Sequence, residues 1–234
     1  FKDAHTHSPM TFLRSFADDL PLMEWLNKKV FPMEAKLTGE DIYWFSKLAF
    51  MEYLTSGITA DFDMYFNQEY MAKAAVEVGF RTVMTSGFNN FMSSVSELRE
   101  NYIKFNNYHP LISYKLGFHS EYTNSLANLE GVAKLVNEFK APVYTHNSET
   151  VGEVQGCIER HGKTPTALME SLGMLEYGGG GYHCVHMSDE DIEIFKKHDM
   201  TMVTNPGSNV KLASGTPEIS KLIKNNIRVA IGTD

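Results

Sequence analysis

Six of the nine histidines, His5, His7, His119, His146, His183 and His186, fall in or at the ends of strand-like runs, and only His109, His161 and His198 fall elsewhere. In His5-Thr6-His7 the alternation of side chains along a strand sends both imidazoles to the same side, where they can grip one ion. His146-Asn147-Ser148-Glu149 sets an acid three positions after an imidazole. A chain that turns as it leaves its strand brings that carboxylate back over the strand end. His183-Cys184-Val185-His186, Gly117-Phe118-His119-Ser120 and Gly232-Thr233-Asp234 complete the set. Imidazoles and a carboxylate around one ion suit Zn²⁺ or another borderline divalent metal. Taken singly, each motif also reads as ordinary hydrogen-bonded polar residues near a strand terminus. The only cysteines, Cys157 and Cys184, form no Cys-x-x-Cys pair, so neither a thiolate zinc site nor a disulfide framework is expected.

These residues need a scaffold that gathers strand ends. Eight strand-like runs occur: Phe1 to His7, Ile58 to Tyr65, Arg81 to Phe88, Leu111 to His119, Pro142 to His146, Tyr182 to His186, Thr201 to Asn205 and Arg228 to Asp234. They recur at spacings that leave room for one helix between each pair, the habit of β/α units with a parallel sheet. Residues 40–56 set Ile42, Phe45, Leu48, Ala49 and Tyr53 on one helical face after Thr38 as cap, and Gly57 terminates the helix. Residues 124–139 repeat this with Leu126, Leu129, Ala133, Val136 and Phe139 behind Thr123. Thr164-Pro165 and Ser188-Asp189-Glu190-Asp191 are start signals for two more helices. Met71 to Val78, Val95 to Phe105 and Glu218 to Asn225 supply others, and residues 8–37 form one long insertion, helical around Leu22 to Val30.

The 234 residues match the ~250-residue size of a closed (β/α)8 barrel of the TIM type, in which all strand carboxyl ends converge on one mouth. A doubly wound open sheet is the alternative. Against it, the first strand lacks a Gly-x-Gly-x-x-Gly turn and the polar residues gather at strand ends along the whole chain.

Composition narrows the function classes. With 43% hydrophobic and 21% charged residues the chain is globular rather than disordered. Twenty-one Lys and Arg against 29 Asp and Glu give a net charge of −8, and no basic run is longer than Lys28-Lys29 or Lys196-Lys197. Such a surface does not track phosphates, so a nucleic-acid partner is not expected. No apolar stretch reaches the ~20 residues that span a bilayer, so no membrane partner is expected, and a cytoplasmic protein is the default. The chain begins at Phe1 and ends at Asp234, as a single-domain fragment (residues 1–234) of a longer protein would.

Beyond these readings the sequence resembles the amidohydrolase superfamily of metal-dependent barrels. The similarity is to the branch of S-adenosylhomocysteine, 5'-methylthioadenosine and guanine deaminases and triazine chlorohydrolases. The resemblance runs from Asp3-Ala4-His5-Thr6-His7-Ser8-Pro9-Met10-Thr11 through Ala17-Asp18-Asp19-Leu20-Pro21-Leu22-Met23-Glu24-Trp25-Leu26. It continues in Thr145-His146-Asn147-Ser148-Glu149-Thr150, His183-Cys184-Val185-His186, Asn205-Pro206-Gly207-Ser208-Asn209 and Gly232-Thr233-Asp234. It implies His5, His7, His146 and Asp234 as ligands of one divalent ion, zinc first and iron second. It also implies Glu149 as proton shuttle, His183 as a catalytic residue facing substrate, and Asp234 as acceptor of the water proton. A helix after the eighth strand and a small flanking β-sandwich are implied outside residues 1–234.

The activity implied is hydrolytic deamination of an N-heterocycle, with a small molecule as the only partner apart from further copies in a homo-oligomer. Within that branch Glu34 matches a position that holds ribose hydroxyls and His119 a histidine that faces substrate, which favours an aminated purine nucleoside over guanine or a triazine. The arginine that similar nucleoside deaminases place at the end of the third strand is missing from Thr85-Ser86-Gly87-Phe88-Asn89-Asn90. A binuclear relative would bring a carbamylated lysine to the end of the fourth strand, where His119 stands and Lys115 lies four residues deeper. A barrel that binds without turnover is the reading from another class.

Overall fold

The computed structural model describes residues 1–17 and 19–234, so Asp18 of the second resemblance segment lies outside the described residues. Strands β1 (Lys2–Thr6), β2 (Ala60–Tyr65), β3 (Arg81–Ser86) and β4 (Ile112–Tyr114) pair in parallel in chain order. Strands β5 (Leu116–Gly117), β6 (Val143–Asn147), β7 (Gly179–His183), β8 (Thr201–Thr204) and β9 (Arg228–Ile231) do the same. β4 and β5 are one barrel position interrupted at Lys115, whose N–H still donates to the Met84 carbonyl at 2.9 Å. The run Leu111 to His119 is therefore two short segments rather than one strand. The other seam closes where the N–H groups of Thr233 and Asp234 both donate to the His5 carbonyl at 2.9 Å. Thr233 Oγ1 is also 2.6 Å from the Asp3 carboxylate. The result is the closed parallel barrel expected from the strand spacing, not an open sheet.

The helices are α1 (Leu22–Trp25), α2 (Phe31–Glu34), α3 (Gly39–Thr55), α4 (Gln68–Val78), α5 (Val95–Phe105), α6 (Leu126–Phe139), α7 (Val151–His161), α8 (Pro165–Ser171), α9 (Asp189–Lys197), α10 (Pro206–Lys211) and α11 (Ile219–Lys224). Thr38 and Ser188 close reciprocal capping boxes with Asp41 and Asp191, as the sequence signals require. Two expectations shift. α6 is capped by Ser125 instead of Thr123, because Thr123 sits in a 3₁₀ turn and its hydroxyl approaches Ser120. Leu48 and Leu126 stay exposed although they share a period with buried neighbours, and in α3 Phe50 fills the core instead.

β7 is the largest correction. The expected strand Tyr182 to His186 starts instead at Gly179, and His186 lies beyond it, its Nε2 2.8 Å from the Ser214 carbonyl. Neighbouring strands approach so closely that a Cβ on Gly179 would lie 1.9 Å from the Val143 carbonyl oxygen, and one on Gly180 3.0 Å from that of Thr201. Glycine here allows close packing of strands rather than a loop.

Among the described residues three apolar groups hold the fold. The main core lies between the sheet and the outer helices, with Phe50, Phe80, Met84, Tyr114, Leu116, Phe118, Val136 and Phe195 buried. Inside the barrel Met64, Tyr182 and Val203 pack with Ala4, Tyr144 and Ala230 and close its floor. A separate small core of Leu13, Leu22, Leu26, Val30 and Leu212 consolidates the insertion against the end of α10.

Candidate metal centre and active site

Every strand-end residue singled out for chemistry, apart from His186, reaches one end of the barrel. His5 is fully buried and its ring stacks on Tyr182, centroids 3.6 Å apart. His7 Nδ1 lies 2.6 Å from the Met64 carbonyl and His146 Nδ1 2.7 Å from that of His119. Since a carbonyl only accepts, both Nδ1 atoms donate, and a neutral ring then carries its lone pair on Nε2. These Nε2 atoms converge on one carboxylate oxygen: Asp234 Oδ1 is 2.9 Å from His5, 3.2 Å from His7 and 3.8 Å from His146. His5 Nε2 and His146 Nε2 are themselves 3.2 Å apart.

Such a gathering of lone pairs around a carboxylate oxygen is stable only with positive charge among them, a proton or a metal cation. Burial works to raise the Asp234 carboxyl, yet the His183 charge and its imidazole hydrogen bonds hold it well below the carboxylate range. Burial keeps His5 well below, and His146 below, the usual imidazole value. For His7 the hydrogen bond and charge of Asp234 outweigh burial and raise it. Imidazole nitrogens gathered around an ionised carboxylate are the donor set of a divalent borderline metal, so the residues fit such a group.

The four ligand atoms that lie within 4.8 Å of one another belong to His5, His146, His183 and Asp234, so His183 stands where the expected ligand set has His7. The hydrogen bonds separate the two histidines. His7 Nε2 faces Oδ1 with the other imidazoles. His183 Nε2 faces Oδ2 at 3.6 Å and lies 3.3 Å from the Asn205 amide, while its Nδ1 is 2.7 Å from Asn209 Oδ1. Burial lowers His183, but Glu149 and Asp234 outweigh it and carry the imidazole up to about 10.

Glu149 does return over the mouth, by a local turn. Ser148 adopts φ 52°, in the left-handed region, and the chain reverses directly after β6. The carboxylate ends 97% buried, with Oε1 accepting from Ser214 Oγ at 2.7 Å and 3.8 Å from His183 Nδ1. His183 (φ 68°) and Asp234 (φ 69°) are left-handed as well. Each costs roughly 1–3 kcal/mol of backbone strain, and all three lie at strand ends that present site residues.

A cavity of about 420 Å³ opens above this cluster, lined by His7, His119, His146, Glu149, His183 and Asp234 at its base and by Glu34, Phe31, Tyr122 and Asn89 further out. Glu34 is not a solvated helix residue. It is buried, accepts from the Tyr65 hydroxyl at 2.7 Å, and is raised by burial. His119 Nδ1 is held by the hydroxyls of Ser120 and Thr123 at 3.0 and 3.2 Å, and burial keeps this ring well below the usual imidazole value. Lys115 sits at the strand interruption and does not line the cavity.

Reading the sequence did not find Tyr65, Ser214 or Glu153 as partners of the site. Tyr65 and Ser214 carry no pattern that points there. Glu153 does, since Thr150-Val151-Gly152-Glu153 has the spacing of a capping box.

A parallel barrel that brings imidazoles and a carboxylate together at the carboxyl ends of its strands defines the class of barrel proteins with a candidate divalent-metal centre. The amidohydrolase family matches over residues 1–234, and the chain belongs to that family. It is 43% identical over 235 residues to a 5-methylthioadenosine/S-adenosylhomocysteine deaminase of Caldicellulosiruptor saccharolyticus, covering 100% of this chain and 55% of the relative. It is 40% identical over 240 residues to a 5'-deoxyadenosine deaminase of Methanocaldococcus jannaschii, covering 99% of this chain and 57% of the relative. Among solved structures it superposes on a zinc-bound adenosine deaminase of Xanthomonas campestris with TM-score 0.90 and 32% identity, over 100% of this chain and 55% of the other. The chain thus spans about half the length of the curated relatives it matches. Among the described residues no helix is long and apolar enough to cross a membrane.

Proposed function

We propose that residues 1–234 form the catalytic barrel, a single domain within a longer chain, of a metal-dependent hydrolase that deaminates an aminated purine nucleoside. The observation that carries this reading is the convergence of the His5, His7 and His146 Nε2 atoms on Asp234 Oδ1, with Glu149 and His183 beside them and Glu34 further out in the same cavity. The named activities of the relatives, each matched along nearly the whole of this chain, support it.

In this reading His5, His7, His146 and Asp234 hold one divalent ion, zinc ahead of iron. When bound, such an ion supplies Lewis acidity that makes hydroxide available near neutral pH. Asp234 takes the proton of the attacking water. Glu149 delivers a proton to the ring nitrogen beside the attacked carbon. Its Oε1 is held by Ser214, so Oε2 is the atom left to transfer that proton. His183, fixed through Nδ1 by Asn209, hydrogen-bonds the oxygen that adds to the ring. Collapse of the adduct with proton return to the amino group releases ammonia. Glu34, with one oxygen taken by Tyr65, accepts from the ribose hydroxyls, and His119 faces the substrate across the cavity.

Elemental analysis with an ammonia-release panel of adenosine, 5'-deoxyadenosine, 5'-methylthioadenosine, S-adenosylhomocysteine and guanine, with chloride release from a chlorotriazine, tests the reading. One divalent ion per chain and turnover of nucleosides are expected. Turnover of guanine or the triazine alone overturns the nucleoside assignment, and a metal-free chain without turnover overturns the hydrolase.

A further inference from the structure

The reversal that carries Glu149 over the mouth is made by a buried acid that the chemistry above does not use. Glu153 is the third residue of α7, and its backbone N–H donates to the Thr150 cap hydroxyl at 3.1 Å, half of an ordinary capping box. In the other half of such a box the acid reaches back to the cap residue's own N–H. Glu153 reaches further. Its Oε1 accepts from the Ser148 N–H at 3.0 Å and its Oε2 from the Glu149 N–H at 2.7 Å, and the residue is 94% buried. Both donors belong to the left-handed turn after β6, where the sheet no longer supplies acceptors.

We propose that Glu153 is a positioning residue for Glu149. By binding the two turn amides with its two oxygens, it stabilises the strained Ser148 conformation and thereby fixes where the Glu149 side chain starts. Ser214 then fixes where it ends, at Oε1. From the other side the His186 N–H holds the Ser148 carbonyl at 2.9 Å, so the turn is bound on both faces. The inference rests on the deaminase reading for its kinetic consequence but not for its structural one.

The test is Glu153→Gln in the full-length, metal-loaded protein. A glutamine offers one accepting oxygen and sets an NH₂ against the second amide, at nearly unchanged volume. Metal content is expected to stay at the wild-type level and KM to remain near it, while kcat falls about 100-fold, the scale of an ångström of misplacement. Adding Ser148→Gly, which adopts positive φ without strain, is expected to restore part of that loss. Ser214→Ala releases the other anchor without touching α7 and is expected to lower kcat about tenfold. Wild-type kcat in Glu153→Gln, or a loss confined to folded yield or metal content, overturns the proposal. If no nucleoside is turned over by the wild type, the parent reading fails, and the crystal structure of Glu153→Gln still decides this one. Glu149 released from Ser214 supports it, and an unmoved Glu149 overturns it.

Discussion

The rim of strand ends and the insertion of residues 8–37 face the same cavity but are built in opposite ways. At the rim, Glu149, His183 and Asp234 stand on strand ends, two of them with left-handed backbone, and each is held by buried polar partners from other β/α units. The insertion is a 3₁₀ turn at Ser8–Leu13, the short helices α1 and α2, and a π-type turn at Leu26–Val30 between them, resting on a small core of its own. It contributes Glu34 and Phe31 to the outer cavity wall. The rigid barrel fixes the groups that would react, while a locally folded and replaceable segment shapes what enters.

The comparison breaks most sharply at the rim. Glu149→Gln is expected to keep its metal and lose about 10²–10⁴ in kcat, the range of a positioned general acid, whereas His146→Ala is expected to lose metal itself. Metal analysis beside steady-state kinetics separates the two, and the reverse pattern would exchange the roles assigned to them.

Core truncations sharpen it in stability. Leu116→Ala removes a fully buried side chain from the main core and is expected to cost about 2–5 kcal/mol in denaturant unfolding. Leu26→Ala, in the small core of the insertion, is expected to cost the barrel transition less and to raise KM. Equal losses in both would show that insertion and barrel unfold as one unit.

At the outer wall, Glu34→Ala is expected to cost about 1–3 kcal/mol in kcat/KM for nucleosides and almost nothing for free bases, because only the former carry ribose hydroxyls to be left unpaired. Tyr65→Phe removes one hydrogen bond to Glu34 and is expected to cost about 0.5–1.5 kcal/mol in the same assay. An effect of either variant on free bases equal to that on nucleosides would place Glu34 at the base instead of the sugar.

Much of this was legible in the residue order. The alternation in His5-Thr6-His7, the caps at Thr38, Thr164 and Ser188, and the recurrence of polar residues at strand ends depend on local geometry alone, so sequence fixes them without reference to the fold. The extent of β7 was not legible. Nothing in the residue order extends the expected strand back from Tyr182 to Gly179 and Gly180, and only the carbonyls of Val143 and Thr201 pressed against them show that they belong to it. Nor could periodicity tell that Leu48 faces water while Phe50 faces the core, since both suit a helix and only the neighbouring α4 and the Phe80 ring stacked on Phe50, centroids 4.9 Å apart, decide. The direction of Glu149, the burial of Glu34 and the hold of Ser214 on Glu149 join positions up to 65 residues apart. Such contacts carry no sequence period, and they exist only because closing the barrel brings the ends of separate strands to a single mouth.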